Sequence, residues 1–159
     1  MNPYRPVLLS AAFISIALLA VALYLQHGMN MLPCPLCVIQ RYAFAAVAII
    51  CLVAAGLPRG GQRAGAGLGV LAALAGLGTA GWHLWIKAHP NVSCGIDPLE
   101  TSLNTIPTAR LLPFLFQADG LCTTEYPPII GLSIPQWSLI WFAILAIVLG
   151  LTALRRTAR

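Results

Sequence analysis

The chain has 159 residues, of which 59% are hydrophobic and only 8% charged, and it carries a net charge of +5. So few charges cannot coat a freely soluble domain, and the basic balance does not point to nucleic acid, because no soluble basic patch is interleaved with aromatic residues. Four long apolar runs place the chain in a membrane instead.

The first run, residues 7–25, holds nineteen residues without a charge. At about 1.5 Å per residue it spans most of a hydrocarbon core of about 30 Å. Ala20-Val21-Ala22 has the small-x-small form of a signal-cleavage site. The run is nevertheless longer than a usual signal core and only Arg5 precedes it, so it is expected to stay as a first membrane helix. The remaining spans are about 38–57, 64–86 and 135–154. In lipid every backbone polar group must be paired within its own segment, so each span is predicted to be an α-helix. The expected fold class is an all-α integral membrane protein: one membrane domain over residues 1–159, a four-transmembrane-helix bundle with a short connection at 26–37 and a long one at 88–134.

Charge sets the orientation. Arg5, Arg59, Arg63, Arg155, Arg156 and Arg159 fall on one side of an even number of spans, and Arg41, Lys87 and Arg110 on the other. The positive-inside rule makes the first side cytoplasmic, with both termini there and the long loop periplasmic. Asp97, Glu100, Asp119 and Glu125 then lie outside, as do Cys34, Cys37, Cys94 and Cys122, where disulfides persist.

Between the first two spans stands LPCPLCVIQR, residues 32–41. Pro35 suits the first position of a helix, which puts Cys37 in the first turn, where unpaired N–H groups and the helix dipole favour a thiolate. Arg41 follows four residues later on nearly the same face and adds a cation at the membrane boundary. Spacing alone leaves other readings open: C-x-x-C also suits a structural disulfide or half a metal site, and a boundary arginine also serves as a snorkelling anchor.

The long connection carries Pro90, Pro98, Pro107, Pro113, Pro127 and Pro128, which predicts a largely irregular segment. Its stretch RLLPFLFQADGLC, residues 110–122, has an apolar patch suited to the membrane surface that would limit how far Cys122 wanders. Cys94 has no such patch and is the better candidate for meeting a soluble partner, although a structural Cys94–Cys122 staple is the alternative. Trp82, Trp85, Trp137 and Trp141 cluster at the outer ends of the third and fourth spans, as an interfacial belt or as walls for a flat ring ligand. His83, a histidine within a span, is a candidate functional group, whereas His27 and His89 are expected to be solvated and Gln136 to cap or pack. Cys51 lies about 21 Å deeper than Cys37 and reads as core packing. The glycines of the third span suit close helix approach.

The C-x-x-C directly after the first span, Arg41 beyond it, a second cysteine pair in the loop between spans three and four, and GLSIPQW opening the last span together resemble the disulfide bond formation protein B (DsbB) family. The resemblance implies a protein of the bacterial inner membrane that reoxidises a periplasmic DsbA-type dithiol oxidase and passes two electrons to ubiquinone or menaquinone. It also implies that Cys34 and Cys37 are the quinone-proximal pair, with Cys37 nearest the ring and Arg41 and His83 beside it. Cys94 would form the mixed disulfide with DsbA, and Cys122 would exchange with Cys34. No residue is assigned to a metal. Two other readings compete, a membrane assembly or binding protein with structural disulfides and a metal-binding or metal-transport protein. The second has only C-x-x-C as ligand-like spacing.

Overall fold

A computed structural model describes residues 4–89 and 96–155. The described residues form seven helices: α1 (Tyr4–Gly28), α2 (Pro35–Ala55), α3 (Arg59–Ala88), α4 (Ile96–Thr105), α5 (Pro107–Leu111), α6 (Pro113–Phe116) and α7 (Ile134–Leu154). Of these, α1, α2, α3 and α7 are long and apolar enough to cross a membrane. The chain is thus an all-α membrane protein built on four spanning helices. Large apolar side chains such as Phe13, Ile49, Leu71 and Ile147 point outward from all four, as expected where lipid is the solvent.

The bundle is held by small residues meeting large ones. Helix α3 packs along both α2 and α7, and α1 packs along α2. A Cβ on Gly76 would run into the ring of Phe142, and one on Gly65 into Ala54, so these two glycines set how closely α3 approaches its neighbours. Phe142 in turn stacks on Phe44 at 3.9 Å, joining α7 to α2 across the same layer. Cys51 is fully buried in this core, where it fills space beside α3.

Polar groups inside the bundle are paired locally. The hydroxyls of Ser15 and Thr152 donate to the carbonyls of Ala11 and Val148, four residues back on their own helices. At the arginine-rich end, Gln62 donates to Ala55 and Leu57, Arg63 to Ala153, and the Tyr4 hydroxyl to the Arg155 carbonyl. These donors satisfy carbonyls that the ends of α2 and α7 leave without helical partners.

The connection between α3 and α7 departs from the irregular segment its prolines predict. Pro107 and Pro113 each begin a short helix, α5 and α6. The missing N–H of proline removes no bond at that position, so these prolines start helices where an interior proline would break one. A tight turn then pairs Ile129 with Leu132 by two backbone bonds of 2.9 and 3.2 Å, and α7 starts on a capping box in which Ser133 and Gln136 bond each other reciprocally. Gln136 is therefore a cap.

Candidate functional site

The dithiol is built into the first turn of α2. Cys34 is the N-cap, in extended backbone, and its sulfur accepts the Cys37 N–H at 3.3 Å, a task more often done by a serine or aspartate oxygen. With Pro35 starting the helix, the turn brings the two sulfurs to 2.7 Å. Cys34 is buried, whereas Cys37 is only half-buried.

Cys122 is carried to this pair by a backbone strap. The N–H groups of Asp119 and Gly120 both donate to the Pro33 carbonyl, at 3.1 and 3.0 Å, one residue before Cys34. The approach requires glycine: a Cβ on Gly120 would sit 2.5 Å from the Leu32 carbonyl oxygen. The Tyr126 hydroxyl donates to that same Leu32 carbonyl at 3.1 Å, fastening the far side of the strap. Before the strap, the Asn104 amide bonds both the N–H and the carbonyl of Ala118, at 2.9 and 3.0 Å, and Phe116 stacks on Tyr42 of α2 at 4.1 Å. Cys122 is consequently 1% exposed and packed with Cys34, Leu36 and Ile86. Contact with the sulfur of Cys122, contact with Cys37 and burial together push the Cys34 thiol well above the ordinary range.

His83 of α3 closes the cluster from the opposite side. Its Nε2 lies 3.7 Å from the Cys34 sulfur and 3.2 Å from the Cys122 carbonyl, while its Nδ1 lies 3.4 Å from Nε2 of Gln40. The network assigns the neutral ring with its proton on Nε2, donating to the carbonyl, and with Nδ1 accepting from the Gln40 amide. His83 and Gln40 are both buried. The ring nitrogen and the two sulfurs of Cys34 and Cys37 all lie within 4.8 Å of one another, a donor grouping invisible in the spacing because His83 comes from another helix.

Arg41 is also buried, with its guanidinium turned inward. It donates to the Gln26 side-chain oxygen at 2.6 Å, the Leu115 carbonyl at 2.9 Å and the Ala22 carbonyl at 3.3 Å, so it joins α1 and the loop helices to α2. All three acceptors are neutral, which leaves the cationic charge expressed locally. Cys37, Gln40, Arg41 and His83 face a mostly apolar cavity of about 290 Å³, walled also by Trp137 and Trp141.

A sequence model of the family described as disulfide bond formation protein DsbB matches residues 4–152. The chain belongs to the DsbB family. Disulfide bond formation protein B of Herminiimonas arsenicoxydans is 70% identical over 156 residues, which is 98% of this chain and 99% of that relative. The corresponding protein of Ralstonia nicotianae is 46% identical over 98% of this chain and 97% of its own, and that of Cupriavidus necator 47% identical over 96% and 94%. DsbB-family membership and the four spanning helices make it a multi-pass membrane oxidoreductase of disulfide bond formation.

In this DsbB-family chain the fold gathers Cys34, Cys37, Cys122, His83 and Arg41 at one end of the bundle, whereas Cys94 lies outside the described residues. The four tryptophans divide: Trp137 and Trp141 wall the cavity, while Trp82 and Trp85 stack on each other at 4.9 Å on the exposed face of α3. His27 is exposed and bonds the Phe114 carbonyl at 3.2 Å, and His89 stacks on Trp85. Gln26, Gln40, Asn104 and Gly120 are the positioning residues that sequence reasoning missed. Gly120, adjoining the apolar patch two residues before Cys122, carried the one local signal, a glycine where backbone must approach backbone.

Proposed function

We propose that this DsbB-family chain reoxidises a DsbA-type dithiol oxidase of the periplasm and passes the two electrons to a membrane quinone. The observation that carries this reading is Cys34 in contact with both Cys37 and Cys122, all three lining an apolar cavity together with Arg41 and His83. We place the dithiol end toward the periplasm and the six-arginine end toward the cytoplasm, in the bacterial inner membrane, with the whole chain acting as one membrane domain.

The partner's thiolate attacks the Cys94 sulfur of a Cys94–Cys122 disulfide and Cys122 leaves as thiolate; the partner's second thiol then releases Cys94 and the partner departs oxidised. The Cys122 thiolate attacks Cys34 in a Cys34–Cys37 disulfide, forming Cys34–Cys122 and releasing Cys37. Cys94 attacks Cys122, restoring the loop disulfide and leaving Cys34 and Cys37 as a dithiol. Each exchange moves one electron pair and depends on thiolate access. When bound, a quinone accepts the dithiol's two electrons and two protons. The donor set fits such a group: Trp137 and Trp141 offer flat apolar walls, Cys37 opens on the same space, Arg41 supplies a fixed cation for developing oxygen charge, and His83 is the titratable group beside the sulfurs.

The test is quinone reduction by the purified chain in detergent, given reduced DsbA-type partner and either ubiquinone or menaquinone. Partner-dependent turnover is expected in the wild type and lost in both Cys37→Ala and Cys94→Ala. A folded wild type that turns over neither quinone returns the chain to the reading in which its disulfides are structural.

A further inference from the structure

The two sulfurs and one imidazole nitrogen converging within 4.8 Å make a donor set with a second use besides the relay. Relay by thiol exchange needs sulfur facing sulfur. A nitrogen beside the same two sulfurs completes a soft-metal donor set once the ring proton moves from Nε2, where it serves the Cys122 carbonyl, to Nδ1. We propose that the reduced Cys34–Cys37 dithiol and His83 form a capture site for a thiophilic divalent d10 cation, with Zn²⁺ as its representative, and that occupancy locks the chain in its reduced state. The proposal rests on the reading of Cys34 and Cys37 as a redox pair.

Geometry favours it. With Zn–S of about 2.3 Å and Zn–N of about 2.0 Å, tetrahedral ligation asks for roughly 3.5 Å between a sulfur and a nitrogen and roughly 3.8 Å between two sulfurs. The Cys34 sulfur and His83 Nε2 already stand 3.7 Å apart. The sulfurs, at 2.7 Å, must open by about 1 Å, which the half-buried Cys37 side chain allows by turning toward the cavity. The fourth position then faces that cavity.

The surrounding shell is compatible as well. A metal-bound imidazole donates its other N–H to a fixed acceptor. Nδ1 of His83 already faces the Gln40 amide at 3.4 Å, and a half-turn of that amide replaces its NH₂ by its oxygen. Two thiolates and one dication sum to zero charge, which suits a buried apolar setting. Binding converts two S–H groups and one ion into a neutral complex with release of two protons, and involves no electron transfer. The oxidised chain, whose sulfurs are bonded to each other, has no such site.

The experiment uses the untagged full chain in detergent, carrying Cys94→Ser and Cys122→Ser so that no loop thiol can chelate. Zn²⁺ is titrated by calorimetry into protein reduced by a phosphine and desalted, or left oxidised. One equivalent is expected in the reduced form and none in the oxidised form. His83→Ala is expected to weaken binding at least tenfold and Gln40→Leu by about 10- to 100-fold, while Cys51→Ala changes nothing. X-ray absorption at the zinc edge on the reduced protein reads two sulfurs and at least one nitrogen without relying on any variant. Absence of zinc from the reduced form, unaltered affinity in folded His83→Ala, or a sulfur-only shell each overturns the proposal. Calorimetry needs neither quinone nor partner, so failure of the relay and failure of metal capture are separately visible.

Discussion

At the scale of the residue, the site turns on how Cys34 is held. Its sulfur caps α2, touches two other sulfurs and is buried, and the last two features keep its proton on at neutral pH. Because its ionisation lies above that of an unfolded thiol, near 8.5, the stability it lends the reduced chain is full below about pH 8.5 and is lost as pH rises beyond. In reduced protein, iodoacetamide should therefore modify Cys37 well before Cys34 at pH 7, and Cys34 should remain the slower of the two as pH rises. Mass-spectrometric rates that are equal at pH 7 would contradict this placement. Gly120 is the second residue on which the arrangement depends. In Gly120→Ala the strap must back away from Leu32, so Cys122 exchange with Cys34 should slow by about 10- to 100-fold while helicity is retained. Stopped-flow thiol exchange measures it.

At the scale of the element, α3 serves as both spacer and ligand carrier. Its small residues let it lie close to α2 and α7, which brings His83 against the dithiol. Gly76→Leu should overpack against Phe142 and cost about 1–3 kcal/mol, lowering the melting temperature in detergent, whereas the same change at Gly78, which faces open space, should leave it unchanged. A melt that falls equally in both would refute the packing argument. The spanning helices were readable in the sequence because nineteen uncharged residues leave few alternatives to a membrane helix. The loop helices were not, since proline gives the same signal whether it starts a helix or prevents one, and Pro107 and Pro113 start theirs. The dithiol and Arg41 were legible from local spacing along α2. Gln40, Asn104 and the strap on Pro33 were not, because each bonds a segment remote in sequence.

At the scale of the whole molecule, the bundle separates two jobs by position. One end gathers sulfur, imidazole, guanidinium and an apolar cavity; at the other, Arg63, Gln62 and Tyr4 donate to carbonyls at or just beyond the ends of α7 and α2. The dithiol end turns on a single requirement, that Cys34 exchange partners between Cys37 within the helix and Cys122 on the strap. The decisive measurement is disulfide mapping of the Cys37→Ala/Cys94→Ala chain after mild oxidation, where only Cys34, Cys51 and Cys122 remain. The account predicts a near-complete Cys34–Cys122 disulfide with Cys51 unreacted in the core. Cys34 and Cys122 both still open to alkylation in folded protein would contradict it.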